Sequence, residues 1–174
     1  MHDPTSPGGA VGPGATLGDL RGLATQGAAF EMIDGGAYDA DKAYKDSKLC
    51  NILFTRELAR RLAASGSPVQ GVAFGPGLIT RTGFFRNQNP VFTALFDFAT
   101  NEVFHVAESV SGGGDCLVTM ATRADLPSGS YWNNDLDGKG GHRFEAQPPS
   151  KEAQSDDEAA RLWALSAQLV GLPA

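Results

Sequence analysis

Between Asp39 and Ala64 the apolar positions recur at helical spacing. Leu49, Leu53, Leu58 and Leu62 make one stripe, with charged residues filling the opposite side. Asp39 is a suitable N-cap and Gly66 a suitable stop, so a long helix is predicted from Asp39 or Asp41 to Ala64. Pro68 to Phe74 (PVQGVAF) reads as a short buried strand that ends in the turn Gly75-Pro76-Gly77. Thr82 to Thr100 carries Phe84, Phe85, Phe92, Phe96 and Phe98. This pattern fits a buried helix pair or an aromatic lid. Val103 to Met120 continues as a helix, with Val106, Val110, Leu117 and Met120 on one face. Its run Gly112-Gly113-Gly114 is costly, at about 1 kcal/mol per glycine relative to alanine. Ser128 to Asn133 (SGSYWN) reads as a last strand, and the polar, glycine-rich Asn134 to Gln147 as loop. Ser155 to Glu158 has the form of a capping box. The helix after it presents Leu162, Leu165 and Leu169, ends near Gly171, and is expected to dock on the sheet edge, with Trp163 as a packing anchor. Residues 1–37 form a loop-rich lead-in.

Composition narrows the function classes. The 174 residues suffice for one domain, 41% are hydrophobic, and the net charge is −6. Without a basic stripe, nucleic acid is not an expected partner. Cys50 and Cys116 are far apart within helical patterns, so a disulfide framework is not expected, and Cys50 reads as a small buried hydrophobe. His2, His105 and His142 are too scattered for a metal site of known spacing. No apolar run reaches the roughly 18 residues that span a bilayer.

The candidate chemistry lies on the long helix. Tyr44 and Lys48 are four residues apart and so share one face, with Asn51 on the same flank. A cation beside a phenol favours phenolate, which predicts a tyrosine pKa below its usual value of about 10 and makes Tyr44 a candidate proton donor. Lysine can also donate hydrogen bonds to sugar hydroxyls. The glycine clusters contain no Gly-x-Gly-x-x-Gly, so the phosphate-cradling turn of a dinucleotide site is not in this sequence.

The string AYKDSKLCN, Ala43 to Asn51, resembles the active-site helix of the light-dependent protochlorophyllide oxidoreductases, a branch of the short-chain dehydrogenase/reductases. Further similar segments follow in order. They are LGDL (Leu17 to Leu20), MIDGG (Met32 to Gly36), Pro76-Gly77, TGFFR (Thr82 to Arg86), SGSYWN (Ser128 to Asn133) and LVGL (Leu169 to Leu172). The resemblance covers nearly the whole chain but about the second half of the family's fold. It implies an α/β, partial Rossmann-type fold lacking its nucleotide-binding half, with residues 1–174 as the C-terminal portion of one domain. Residues 38–66 would be its active-site helix and 82–104 its substrate lid.

The resemblance further implies NADPH as cofactor, protochlorophyllide as substrate, and reduction of the C17=C18 double bond of ring D. Tyr44 would give the proton. Lys48 would tune it and hold the nicotinamide ribose. Gly77, Leu78 and Ile79 would line the nicotinamide, and Phe84 and Phe85 would meet the pigment. Plastid localisation, or thylakoid-associated cytoplasm in a cyanobacterium, peripheral membrane association and a homo-oligomer are expectations of the same origin. The chain departs from the family at one turn. Similar proteins usually read Pro-Gly-Cys-Ile-Ala, where this chain has Pro76-Gly77-Leu78-Ile79-Thr80, and Arg81 replaces a smaller or acidic residue. Two alternatives stand beside this reading. One is a short-chain reductase with another substrate, and the other an inactive stand-alone interaction module.

Overall fold

Asp39 starts the longest element. In the computed structural model, which describes residues 2–6, 9–25 and 30–173, its carboxylate accepts from the backbone N–H of Lys42 at 2.8 Å. This is the N-cap expected from the sequence. The helix, α2 (Ala40–Ala64), buries Leu49, Ile52 and Leu53 and stops at Gly66, whose φ of 68° suits glycine. A short helix, α1 (Arg21–Ala24), precedes it. After α2 come β1 (Ala73–Gly75), α3 (Pro90–Phe98), α4 (Val110–Thr122), β2 (Tyr131–Leu136) and β3 (His142–Gln147). The last is α5 (Asp156–Leu169).

The sheet has the order β1-β2-β3. β1 and β2 are parallel, with Ala73 opposite Tyr131 and Gly75 opposite Asn133. β2 and β3 are antiparallel, from Tyr131 opposite Gln147 to Leu136 opposite His142. Parallel strands need a long crossover, and here α3 and α4 supply it.

Four expectations are corrected. The first strand is shorter than Pro68–Phe74, because β2 begins only at Tyr131. Upstream of Ala73 the chain is held by single bonds, such as Gly129 N–H to the Gly71 carbonyl at 2.7 Å. The expected loop Asn134 to Gln147 contains β3. A turn at Asp137 folds the chain back, its carboxylate accepting from the N–H groups of Lys139 (2.7 Å) and Gly141 (3.0 Å). β3 is half exposed, so its polar composition hid it. Phe144 packs edge-on against Phe74, ring centroids 6.2 Å apart.

The third correction concerns Val103 to Met120. Ala99–Val103 widens into a π-turn, His105 adopts φ 51°, and the chain stays extended until Ser109 caps α4. The glycine run does lie within that helix. A Cβ on Gly113 would overlap Cδ1 of Ile79, so glycine leaves room for that side-chain tip against α4. Fourth, α5 docks on α2 rather than on the sheet edge. Ala159 and Leu162 join Leu49, Ile52 and Leu53 in one buried apolar core. Ser155 caps α5 as expected, accepting from Glu158 N–H at 3.2 Å. Trp163 is an anchor, stacked on Phe54 with centroids 5.1 Å apart.

The lead-in is tied down. Leu17 and Leu20 are fully buried in the same core. Lys45 is 1% exposed and donates to the Pro13 carbonyl at 3.0 Å, to the Val11 carbonyl and to the Asp41 carboxylate. A buried ammonium is tolerated only with such partners. Among the described residues no helix is long and apolar enough to cross a membrane.

Candidate active site

α2 carries three lysines near its start, and they are not equivalent. Lys42 pairs with Asp34 (3.0 Å) and Asp46 (2.5 Å), and Lys45 with Asp41 (2.6 Å). Lys48 pairs with no carboxylate among the described residues. Its ammonium stands over the Tyr44 ring, 4.9 Å from the centroid. The helical spacing therefore does bring Tyr44 and Lys48 together.

The expected lowering of the Tyr44 phenol is not found. Partial burial raises its pKa above the ordinary value of 10. Lys48 meets the ring face as a cation–π partner, so the cost of desolvating the phenolate prevails. The phenol therefore keeps its proton through neutral pH. That suits a donor, though it leaves the donor weaker than one tuned to pH 7.

Phe84 closes on Tyr44 from the other side, ring centroids 5.6 Å apart. It sits in the 3-10 turn Gly83–Phe85, where its own N–H is capped by the Thr82 hydroxyl. From there an aromatic chain runs outward. Phe84 meets Phe85 edge-on at 4.9 Å, Phe85 meets Phe96 at 5.4 Å, and Phe96 stacks on Phe92 at 5.7 Å. α3 has no buried residue, and Phe84, Phe92 and Phe98 are all more than half exposed. Within this chain the segment therefore forms an exposed aromatic surface rather than part of its own core.

Gly77, Leu78 and Ile79 form a separate set. Gly77 has φ 89°, and a Cβ there would stand 3.2 Å from the Asn134 carbonyl. The Leu78 carbonyl accepts from Glu108 N–H at 2.7 Å. Behind the turn, Asn134 donates to the Glu108 carboxylate at 2.8 Å and to the Pro76 carbonyl at 3.3 Å. Burial raises the Glu108 carboxyl, but the Asn134 and Ser109 hydrogen bonds outweigh it and hold the group below its usual range. This support was missed from the sequence, since Glu108 and Asn134 are 26 residues apart with no spacing signal.

Cys50 is part-buried, and burial pushes its thiol up to about 12, so it is a packing residue. Both cysteines are free. Among the described residues no three His, Cys, Asp or Glu side chains are grouped to hold a metal. Tyr44 and Lys48 lie on an open face. The cavities of about 380 and 300 Å³ lie elsewhere, beside Arg21 and beside Phe54.

No family model matches the chain. Curated relatives do. The chain is 39% identical over 170 residues to the chloroplastic protochlorophyllide reductase of Cucumis sativus, a match covering 94% of this chain and 41% of that protein. It is 40% identical to protochlorophyllide reductase B of Oryza sativa subsp. japonica (94% and 40%) and to the protochlorophyllide reductase of Avena sativa (94% and 52%). A solved structure of an uncharacterized protein from Mycobacterium paratuberculosis is also similar. It has a TM-score of 0.53 and 31% identity, over 79% of this chain and 42% of that one. The chain spans about two-fifths to one-half of the length of these relatives. The resemblance seen in its motifs, to the C-terminal part of the protochlorophyllide reductases, thus holds across nearly the whole chain.

Proposed function

We propose that this chain supplies the proton-donating and pigment-covering part of a light-dependent NADPH:protochlorophyllide oxidoreductase of the plastid. The observation that carries the reading is the Tyr44–Lys48 pair with Phe84 packed against it, on a chain about 40% identical to protochlorophyllide reductases.

The fold is read as the later strands and helices of a short-chain dehydrogenase/reductase. The turn after β1 lies where ligands bind in parallel α/β sheets, outside the carboxyl ends of the strands. The residues present fit one end of NADPH. Lys48 offers ribose hydroxyls an ammonium that no carboxylate among the described residues engages, and Gly77, Leu78 and Ile79 offer a close-approach turn for the nicotinamide. The pyrophosphate end needs a glycine-rich turn that this sequence does not hold. When bound, NADPH supplies the hydride for the C17=C18 bond, and absorbed light supplies the driving energy.

The chain's own residues then have three tasks. Tyr44 gives its phenolic proton to C18, completing the addition of hydride and proton across the double bond. Lys48 holds the ribose and keeps the Tyr44 ring in place through its cation–π contact. Phe84 and Phe85 lie against the flat pigment and exclude water, with aromatic faces that bury large area. Leu78 can neither ionise nor donate a hydrogen bond, so its contact with pigment is apolar.

By this reading the 174 residues alone neither bind NADPH tightly nor turn over, because the site is one-sided. The test is a dark-adapted sample of the complete, cofactor-competent enzyme with protochlorophyllide and NADPH. A flash should convert the pigment absorbance to that of chlorophyllide. Dark reduction of a ketone with NADPH, or dark oxidation of an alcohol with NADP+, would instead place the chain with other short-chain reductases.

A further inference from the structure

The aromatic wall beside Tyr44 is held from behind by a small polar cluster. Thr80 is 5% exposed, and its hydroxyl donates to Asp97 Oδ1 at 2.6 Å. Asn101 donates to the same Asp97 oxygen at 2.9 Å and to the Thr80 hydroxyl at 2.9 Å. The three side chains close a triangle in which the Thr80 hydroxyl both donates and accepts. On the solvent side Arg81 reaches Asp97 Oδ2 at 3.3 Å and Glu102 at 2.9 Å. Arg81 is well exposed, so this outer pair contributes little by itself. The half-buried triangle is the stronger element, because leaving Thr80 unpaired would strand a buried hydroxyl.

The triangle joins segments that would otherwise be independent. Asp97 is in the last turn of α3, Asn101 in the π-turn after it, and Thr80 just after the Gly77 turn. Two routes lead from it to Phe84. Along the backbone, Thr82 N–H donates to the Thr80 carbonyl at 2.9 Å, and the Thr82 hydroxyl accepts from Phe84 N–H at 3.3 Å. Through side chains, Phe96, next to Asp97, packs on Phe85, which packs on Phe84. No buried apolar side chain of α3 substitutes for the triangle, since α3 buries no residue. Thr80 and Arg81 are also positions at which the sequence departs from the motif it resembles.

We propose that Asp97 is a positioning residue, which through Thr80 and Asn101 holds α3 and the Gly83–Phe85 turn as one unit and so keeps Phe84 against Tyr44. The hydrogen bonds are local and the consequence is at a distance: Asp97 touches neither ring. Its carboxylate is needed as an acceptor, so an uncharged acceptor of the same shape should serve. The role of this wall towards pigment rests on the proposed function above. The positioning itself does not.

The experiment is NMR on the full chain, reading the cross-relaxation between the Tyr44 and Phe84 rings. It is expected in the native protein, abolished or greatly weakened in Asp97→Ala, and restored in Asp97→Asn. A residue that merely stabilised the fold would lower the melting temperature in both variants without this selective effect. Should Asp97→Ala not fold, Thr80→Val and Thr80→Ser replace it. The cross-relaxation should vanish in Thr80→Val and persist in Thr80→Ser. Undisturbed Tyr44–Phe84 packing in Asp97→Ala, or in Thr80→Val, would overturn the proposal. A second arm adds protochlorophyllide alone and follows its fluorescence. Affinity is expected to fall roughly tenfold in Asp97→Ala. If the two rings separate while pigment affinity is unchanged, or if the native chain binds no pigment, the positioning role stands and the pigment reading of the wall fails.

Discussion

Lys48 holds its ammonium over the face of the Tyr44 ring, 4.9 Å from the centroid, and no carboxylate among the described residues competes for it. A cation so placed is available to a ligand. Replacing it should therefore cost the fold little, within about 0.5 kcal/mol for a surface change. In the cofactor-competent protein, Lys48→Ala should instead raise the NADPH KM at least about tenfold. Melting curves and steady-state kinetics on the same variant separate the two effects. Because burial raises the Tyr44 phenol, a spectroscopic titration should show it protonated past pH 10.

Gly113 is where α4 crosses the segment following β1. Gly113→Ala would normally favour a helix by about 1 kcal/mol. Here the new Cβ would overlap Ile79 Cδ1, the end of a flexible and only half-buried side chain that can turn aside. The helix preference and the small cost of moving that side-chain tip nearly cancel, so a net change within about 1 kcal/mol of zero is expected. Gly114→Ala, whose Cβ meets nothing within 4 Å, should be neutral or stabilising. Denaturant melts of the two variants give the comparison.

His2 is 6% exposed, packs edge-on against Tyr131 with centroids 5.1 Å apart, and accepts from Ser150 N–H at 3.3 Å. Burial lowers its pKa to about 4. The native state therefore favours the neutral ring, while the unfolded chain takes up a proton near pH 6.5. This contribution is complete above pH 6.5, declines as pH falls from 6.5 to 4, and is flat below. It amounts to about 3 kcal/mol at most. His2→Gln keeps an acceptor for Ser150 but does not titrate. Its stability should lack that part of the pH slope in urea melts at about pH 4.5 and pH 7.

Cys50 should be inert in the native state. With its thiol pushed up to about 12, little thiolate exists at pH 8. A thiol-specific reagent should label Cys50 only on unfolding, as read by mass spectrometry of the peptide. Fast labelling near pH 7 would show the thiol more exposed and more acidic than its packing implies.

The sequence was most legible where a local rule sufficed. α2 declared itself through the Asp39 cap, the leucine stripe and Gly66, and α5 through Ser155 and Gly171. The Tyr44–Lys48 pair followed from helical spacing. Its electrostatics did not, because spacing cannot say whether a cation meets a hydroxyl or a ring face. β3 was hidden because an exposed hairpin strand has no apolar alternation to show. The break at His105 was hidden because nothing in its neighbours marks a left-handed residue. The Thr80–Asp97–Asn101 triangle joins residues up to 21 positions apart, a long-range arrangement that only the folded chain reveals.

The most direct test is the flash experiment on the cofactor-competent protein, not the 174 residues alone, with Tyr44 intact and as Tyr44→Phe, side by side. Both are loaded in the dark with protochlorophyllide and NADPH, and the absorbance is followed after one flash. Tyr44→Phe keeps the ring that Phe84 and Lys48 touch and removes only the proton. Conversion is expected with Tyr44 intact. In the variant the rate of product formation should be lower by about 100-fold or more, the scale of a missing general acid. Equal conversion in both proteins would contradict the assignment of Tyr44 as the proton donor.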